Sequence, residues 1–434
     1  MSFNLFRKTA FGVYDFSWRM ALPWLKFNHR LAEGYQQRTL KDQLSGRADL
    51  WLQAASVGES FLALELLKTL QAKQPIQILL TSNTRQGVNL LNQALPELTR
   101  GKNRIQASVR YFPFDKPSIM ATAVAGIRPK LMVLLETEIW PGLLQALKRY
   151  GAKIIIVNGR MTEKSLRRYH LWPSIWPSLR PDKVLAISPA DADRFDRLFG
   201  PDGIEIMPNI KWDRIASMTG SDPAEDEIKT LLPPAVSFVI LASVRQPEES
   251  PVKKIVEAVI GSRPQTVVGL FPRHMHRLQY WQKTLDQTGI RWSRRSEIKT
   301  RVPAGSVVLW DTFGELLPAY RHAKTAFIGG SLAPLGGQNF LEALVNGVLP
   351  VIGPSWENFA WVGSGIIESG LLRVADDWRK VADLLLKDID SSLRRQDIIS
   401  ATLHYIKARQ GGTKIACRHI ADSLEGEQTK KSIP

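Results

Sequence analysis

Apolar and polar positions fall into a repeated strand–helix pattern along this chain. Residues 49–55 (DLWLQAA) form a mostly apolar run that stops in Ser56-Val57-Gly58-Glu59. Leu62, Leu64, Leu66, Leu67 and Leu70 then supply the apolar positions of a helix. Residues 76–81 (IQILLT) predict a short buried strand, followed by Ser82-Asn83-Thr84 as a helix cap. Runs at 129–135, 153–157 and 183–187 repeat the scheme, ending in Glu136, in Asn158-Gly159-Arg160 and in Ser188. Short apolar runs that each lead through polar residues into a helix are the βα units of a parallel sheet covered on both faces. In such sheets ligands bind at the carboxyl ends of the strands, where these polar residues sit.

Residues 219–234 (TGSDPAEDEIKTLLPP) turn polar, acidic and proline-rich, as an interdomain linker with one short helix would. A second βα series follows, with strands predicted at 237–242, 266–270, 307–310, 325–328 and 348–352. The pattern predicts an α/β protein of two Rossmann-like domains, with the active site in the cleft between them. The first covers residues 31–218 and the second 235–413. A C-terminal helix in 414–434 could cross back to the first domain, and residues 426–434 form a polar tail. A length of 434 residues suits two domains.

Residues 1–30 carry Phe3, Phe6, Phe11, Tyr14, Phe16, Trp18, Trp24 and Phe27 among Arg7, Lys8, Arg19, Lys26 and Arg30. Asp15 and Arg19 break every apolar run, which rules out a membrane span or signal-peptide core there. Aromatics with flanking cations suit a helix lying among anionic headgroups; a helix packed on the protein's own surface suits them equally. The net charge of +17 sharpens the question, because it asks for an acidic partner: nucleic acid, an anionic membrane or a phosphorylated substrate. No zinc-finger spacing or RNA-binding aromatic motif supports nucleic acid. Cys417, the single cysteine, excludes an intrachain disulfide and reads as a small buried hydrophobe.

The densest candidate chemistry is Ile328-Gly329-Gly330-Ser331-Leu332 followed by Gly336-Gly337-Gln338-Asn339-Phe340-Leu341-Glu342. The first glycines let backbone approach a ligand closely, and the second pair precedes a helix whose N-terminus can hold a phosphate. Asn339 and Glu342, three apart in its first turn, share a face, and the carboxylate can accept both hydroxyls of a ribose. Arg273 matches phosphate geometry and could stabilise a nucleoside monophosphate leaving group without a metal. Glu59 reads equally as a general base for an acceptor hydroxyl and as a helix N-terminal carboxylate. Asp191-Ala192-Asp193 has the form of a metal-binding acidic pair but starts a helix after Ser188, so a capping role is expected. His274 and His276, two apart, are expected on opposite sides of a strand and lack a third ligand for zinc.

The segment around Gly330 and Gly337 resembles the donor-binding region (GGS…GGHN-x-x-E) of the transferases of 3-deoxy-D-manno-octulosonic acid, Kdo. The likeness recurs in order along residues 30–420. Ala54-Ala55-Ser56-Val57-Gly58-Glu59 is similar to their AASVGE motif, and Glu136-Thr137-Glu138-Ile139-Trp140-Pro141 to ETE-x-WP. Asn158-Gly159-Arg160 with Ser165 and Tyr169 resembles NAR…S…Y, and Asn209-Ile210-Lys211-Trp212-Asp213 resembles GN-x-K-x-D. Pro272-Arg273-His274 with Arg277 resembles PRH-x-x-R, and Asp311-Thr312-Phe313-Gly314-Glu315-Leu316 the DT-x-GEL turn.

The resemblance implies a GT-B fold and an inverting, metal-independent glycosyltransferase without cofactor, moving Kdo from CMP-Kdo to a phosphorylated glycolipid of the lipid A precursor type. It implies Glu59 as proton acceptor, with Glu136 (less so Glu138) and Lys211 supporting the transition state; an interdomain salt bridge is the alternative for that pair. It implies donor binding at Pro272, Arg273, His274, Phe313, Gly314, Glu315, Gly330, Ser331, Gly337, Asn339 and Glu342. It also places the protein peripherally on the cytoplasmic face of a bacterial inner membrane, against an anionic surface. The chain departs from the family pattern at Ser243-Val244-Arg245, where STH is usual, and at Met275, His276 and Gln338. These departures touch donor identity and leave open a paralogous CMP-sugar transferase with another donor or acceptor. A GT-B-fold UDP-sugar epimerase is a further alternative, though the chain is poor in histidines.

Overall fold

The computed structural model describes residues 2–42, 46–100, 104–216 and 224–425, with backbone alone at 2–8, 216 and 224–226. The polar tail at 426–434 and the first part of the expected linker, 219–223, lie outside the described residues, as do the side chains of Phe3, Phe6, Arg7 and Lys8. The chain divides into two compact units, residues 1–214 with 409–434, and residues 215–408.

The first unit holds a seven-stranded sheet in the order β3-β2-β1-β4-β5-β6-β7. Its strands are β1 (Leu50–Ala54), β2 (Ile76–Ser82), β3 (Ile105–Tyr111), β4 (Leu131–Leu135), β5 (Lys153–Gly159), β6 (Lys183–Ala186) and β7 (Ile204–Ile206). All pairings are parallel. Alternate residues feed two cores, with Leu50, Leu52, Leu131 and Val133 on one face and Trp51, Met132 and Leu134 on the other. Each such fully buried aliphatic side chain contributes roughly 1.5–3 kcal/mol relative to exposure. The last helix, Gly412–Glu425, packs on β4, β5 and helix Val57–Thr69 of this unit. Asp213 anchors its start by accepting bonds from the amides of Gly411 (2.8 Å) and Thr413 (2.7 Å). Cys417 is buried in that packing.

The second unit repeats the plan with β8 (Ser237–Val244), β9 (Thr266–Pro272), β10 (Arg291–Arg294), β11 (Ser306–Leu309), β12 (Thr325–Ile328), β13 (Leu349–Ile352) and β14 (Arg373–Val374). Their order is β10-β11-β9-β8-β12-β13-β14, again all parallel. The ten strands predicted from apolar runs are present. The four that pattern reading did not supply, β3, β7, β10 and β14, are the four sheet edges. Edge strands are wetted on one side, so β3 and β10 lack the continuous apolar run of a central strand and β7 and β14 are three and two residues long.

In each sheet the connections run in opposite directions from one central pair, β1/β4 in the first and β8/β12 in the second. Such a pair leaves a crevice at its carboxyl end. The crevice of the first sheet lies among residues 55–59 and 136–138, and that of the second among 243–248 and 329–332. A non-glycine residue with positive φ stands at each, Glu136 (φ 54°) and Ser243 (φ 53°). Backbone held in that region costs energy and collects at functional positions.

The N-terminal segment is helical over Ser2–Leu25. Ala10 and Phe11 are buried against the first unit, and the Tyr14 hydroxyl donates to Asp115 (2.9 Å). Val13, Phe16, Met20 and Trp24 make a neighbouring stripe that is left exposed, continued by Phe27. Among the described residues no helix is long and apolar enough to cross a membrane.

Candidate active site

Glu59 sits in the first turn of helix Val57–Thr69, just beyond β1. Ser56 caps this helix: its Oγ accepts from the Glu59 amide (3.3 Å) and donates to Glu59 Oε1 (3.0 Å), while Oε2 accepts from the Ala55 amide (2.7 Å). This reciprocal cap realises the helix-terminal reading. Capping and the helix dipole favour a charged carboxylate. Here they lose: burial first, and then the charge of Glu138, push the Glu59 carboxyl up to about 8. The residue therefore caps its helix and also exchanges its proton near neutral pH.

Glu138 follows β4 and accepts a bond from the Trp140 indole (2.7 Å); burial lifts its carboxyl to about 6. Burial and then Glu138 raise the Tyr169 hydroxyl to about 12, so this tyrosine belongs to the same neighbourhood. Glu136 forms an ion pair with Lys211, Nζ to Oε1 2.6 Å. Both residues lie in the first unit, which corrects the interdomain salt bridge weighed for them. Asn158 and Asn209 are buried, and each uses Oδ1 to accept a backbone amide, from Ile210 (2.9 Å) and Lys211 (3.0 Å). Their Nδ2 groups have no partner among the described residues.

In the second unit the glycine-rich turn after β12 is closed from inside. Glu248, fully buried, accepts bonds from the amides of Ser331 and Leu332 (both 2.8 Å) and of Gly330. A Cβ at Gly329 would lie 2.8 Å from the Ser243 carbonyl oxygen, so only glycine lets β12 emerge so close to β8. Ser331 is buried, its Oγ donating to the Ile328 carbonyl (2.6 Å) and accepting from the Gly353 amide (2.8 Å). The amides of Gly336 and Gly337 are spent on Ser355 Oγ (2.9 Å) and the Gly330 carbonyl (2.6 Å). Gly330, Ser331 and Gly337 thus shape the turn that precedes the helix. The helix after the second glycine pair spans only Leu341–Val345, so Asn339 precedes it instead of opening it. Asn339 Nδ2 still reaches Glu342 Oε1 (2.8 Å).

Pro272 ends β9, and Arg273 and His274 follow it, both exposed. The His274 imidazole is pushed below its usual pKa by partial burial and then by Arg245, His276 and Arg273, which describes a cluster of cations. His274 and His276 do not flank a strand as expected. They sit at a 3-10 turn over Met275–Arg277 with rings stacked 5.4 Å apart. Arg277 is held by Glu249 through two bonds, of 2.8 and 2.5 Å. Phe313 is 83% exposed beside Gly314 (φ 85°). Glu315 accepts bonds from Arg295 and from the Trp310 indole, both 2.7 Å. Ser188 caps the helix Pro189–Phe199 by accepting from the Asp191 amide (3.1 Å), and the Asp191 carboxylate accepts bonds from the Met161 amide (2.9 Å) and Ser188 Oγ (2.5 Å).

The comparisons with known proteins bear on this geometry. Residues 26–214, which include Glu59, Glu136 and Lys211, match the family model described as 3-Deoxy-D-manno-octulosonic-acid transferase (kdotransferase). A 3-deoxy-D-manno-octulosonic acid transferase of Bordetella pertussis is 29% identical over 390 residues, 87% of each chain. One from Haemophilus influenzae is 28% identical over 365 residues, 80% of this chain and 81% of that one. Over most of its length the chain is similar to Kdo transferases, and residues 26–214 match the family's domain. It is a glycosyltransferase.

The fold of this glycosyltransferase is shared with a solved UDP-N-acetylglucosamine 2-epimerase (TM-score 0.57, 14% identity, 89% of this chain and 98% of that one). It is shared equally with a glycosyltransferase from Rickettsia africae ESF-5 (TM-score 0.55, 11% identity, 87% of this chain and 98% of that one). At those identities the likeness shows the GT-B fold of two Rossmann-like domains and carries no reaction. Sequence reasoning did not assign Glu248, Asn158 or Asn209 a role. Glu248 lies three residues beyond Arg245, and the amides it holds lie more than eighty residues downstream, out of reach of any local pattern.

Proposed function

We propose that this transferase moves Kdo from CMP-Kdo to a phosphorylated glycolipid of the lipid A precursor type, inverting the anomeric centre. The observation that carries this reading is Glu59: a carboxyl at a topological switch point, lifted to about 8, whose ionised form is a strong base for a glutamate and gains population as pH rises above neutral. In this mechanism the acceptor hydroxyl gives its proton to Glu59 as its oxygen bonds the anomeric carbon. The bond from that carbon to the CMP phosphate breaks, and CMP leaves with the electron pair. Lys211, oriented by Glu136, supports the developing charge. Arg273 takes the phosphate, with Arg245 adding positive potential; these cations disfavour the charged form of His274. Asn339 holds Glu342 toward the ribose hydroxyls. Pro272, Phe313, Gly314 and Glu315 bound the donor site, and Gly330, Ser331 and Gly337 set its shape.

The exposed stripe of Val13, Phe16, Met20, Trp24 and Phe27, beside Arg19, Lys26 and Arg30, supports peripheral attachment to the anionic cytoplasmic face of an inner membrane, where such an acceptor would lie. The cations around His274 favour one second reading, a CMP-linked acidic sugar other than Kdo. Incubating the purified protein with CMP-Kdo and a tetraacylated lipid A precursor tests both. Release of CMP only when acceptor is present, with product mass raised by one or more Kdo units, is expected. No product from CMP-Kdo, but product from another CMP-linked acidic sugar, would replace the first reading by the second.

A further inference from the structure

Between the N-terminal helix and the first unit lies a groove of about 350 Å³, lined almost wholly by apolar atoms. Tyr14, Trp18 and Ala21 form one wall, and Phe112, Phe114 and Trp140 the other. An apolar concavity of this size falls within the range of ligand pockets.

The walls are fixed by polar contacts at several points. Asp115 accepts bonds from the Tyr14 hydroxyl (2.9 Å) and from the amides of Gly142 (2.9 Å) and Leu143 (2.7 Å), which joins the helix to the segment that carries Trp140. Asp15 accepts from the Ser118 amide (3.0 Å) and pairs with Lys116 (3.2 Å). Tyr35 donates to the Leu22 carbonyl (3.0 Å). Trp18 and Phe114 stand with ring centroids 5.8 Å apart. The buried Arg38 donates to the carbonyls of Glu33, Phe112 and Asn83, tying three chain segments at the groove's edge.

Two further observations name the occupant. Trp140 lines the groove while its indole donates to Glu138 (2.7 Å), so the groove and the acidic end of the site stand on either side of one shared side chain. Its outer lip is the helix whose neighbouring stripe, Phe16, Met20 and Trp24, is exposed and apolar. A ligand that spans from the acidic cluster to that apolar surface must be polar at one end and a hydrocarbon chain at the other. We infer that the groove seats one acyl chain of the amphiphilic acceptor and so positions its hydroxyl for transfer. The inference rests on the proposed glycolipid acceptor and adds to it a binding site for the hydrocarbon.

A photoreactive probe tests this without relying on transfer. The full-length protein is irradiated with a diazirine-bearing dodecyl phosphate, with and without excess plain dodecyl phosphate, and labelled peptides are sequenced by mass spectrometry. Labelling within 14–25 and 112–140 that the plain compound suppresses is expected. Ala21→Trp, which fills the groove, should cut that labelling about tenfold and raise KM for the tetraacylated acceptor by a similar factor with kcat little changed. Ser17→Glu, on the exposed lip where folding is not at stake, should act in the same direction. Labelling spread over the surface, or unaffected by both substitutions, would overturn the groove as an acyl site. Dimers that dissociate on adding dodecyl phosphate would overturn it in favour of a second copy of the chain. Competed labelling in a protein that transfers nothing to the lipid would leave the groove standing and remove the proposed reaction instead.

Discussion

The ammonium of Lys211 lies 2.6 Å from the carboxylate of Glu136, a residue whose backbone is held at positive φ. The pair neutralises one of three neighbouring carboxylates and leaves Glu138 as the main charge acting on Glu59, after burial. Lys211→Met should expose Glu59 to a second unbalanced charge and raise its pKa further. Transfer at neutral pH should fall by about two orders of magnitude, and the rising limb of the pH–rate profile should move to higher pH. A steady-state profile from pH 6 to 10 reads both effects; an unchanged limb would separate Lys211 from the acidic cluster.

Glu59→Gln keeps a side chain able to cap the helix but cannot accept a proton, so turnover should fall about a hundredfold or more with CMP affinity unchanged. In the native protein the rate should rise with pH toward the value of about 8 set for Glu59. Glu138→Gln removes the like charge, so that limb should shift to lower pH. The sign for stability is opposite. A carboxyl raised in the fold binds more protons there than in the unfolded chain, so its contribution is present below about pH 4.5 and is lost as pH rises toward 8. Chemical denaturation from pH 5 to 9 should show Glu59→Gln losing less stability over that window than the native protein.

Glu248 satisfies three buried amides of the turn after β12. Glu248→Ala leaves them unpaired at about 1–3 kcal/mol each, so the second unit should unfold at markedly lower urea and bind CMP more weakly. Urea melts and calorimetric CMP titration measure the two. Unchanged CMP affinity in a folded variant would detach this turn from donor binding.

The apolar stripe of the N-terminal helix can be tested without removing the helix, whose other face packs through Ala10, Phe11 and Tyr14. Phe16→Asp with Trp24→Asp should weaken sedimentation with phosphatidylglycerol vesicles while activity on detergent-dispersed acceptor persists. Each cation near the headgroups adds on the order of 1 kcal/mol, so binding of the native protein should also fall with salt. Equal sedimentation of both proteins would make the stripe irrelevant to attachment.

The Asp191 carboxylate is occupied by the capping Ser188 and the Met161 amide, and Asp193 is exposed beside Arg197. EDTA should therefore leave the transfer rate unchanged. A loss restored by magnesium or manganese would return these two aspartates to the mechanism.

Alternation of apolar runs with polar turns was enough, from the sequence, to give the ten central strands and to put Glu59, Glu136, Arg273 and Gly330 at strand ends. Those features are local: a run buried on both faces and the turn that follows it are written in consecutive residues. The ordered motifs named the family for the same reason. Tertiary structure decided the rest. It set the four edge strands, which share a sheet without the apolar run of its centre. It paired Lys211 with Glu136 inside one unit, and bound the turn at Gly330 to the buried Glu248. It split the N-terminal helix between a packed face and an exposed one. It also set the proton affinity of Glu59, where capping bonds and burial pull in opposite directions and burial prevails. Each of these depends on which distant residues meet and how much water they exclude, and residue order alone does not carry that information.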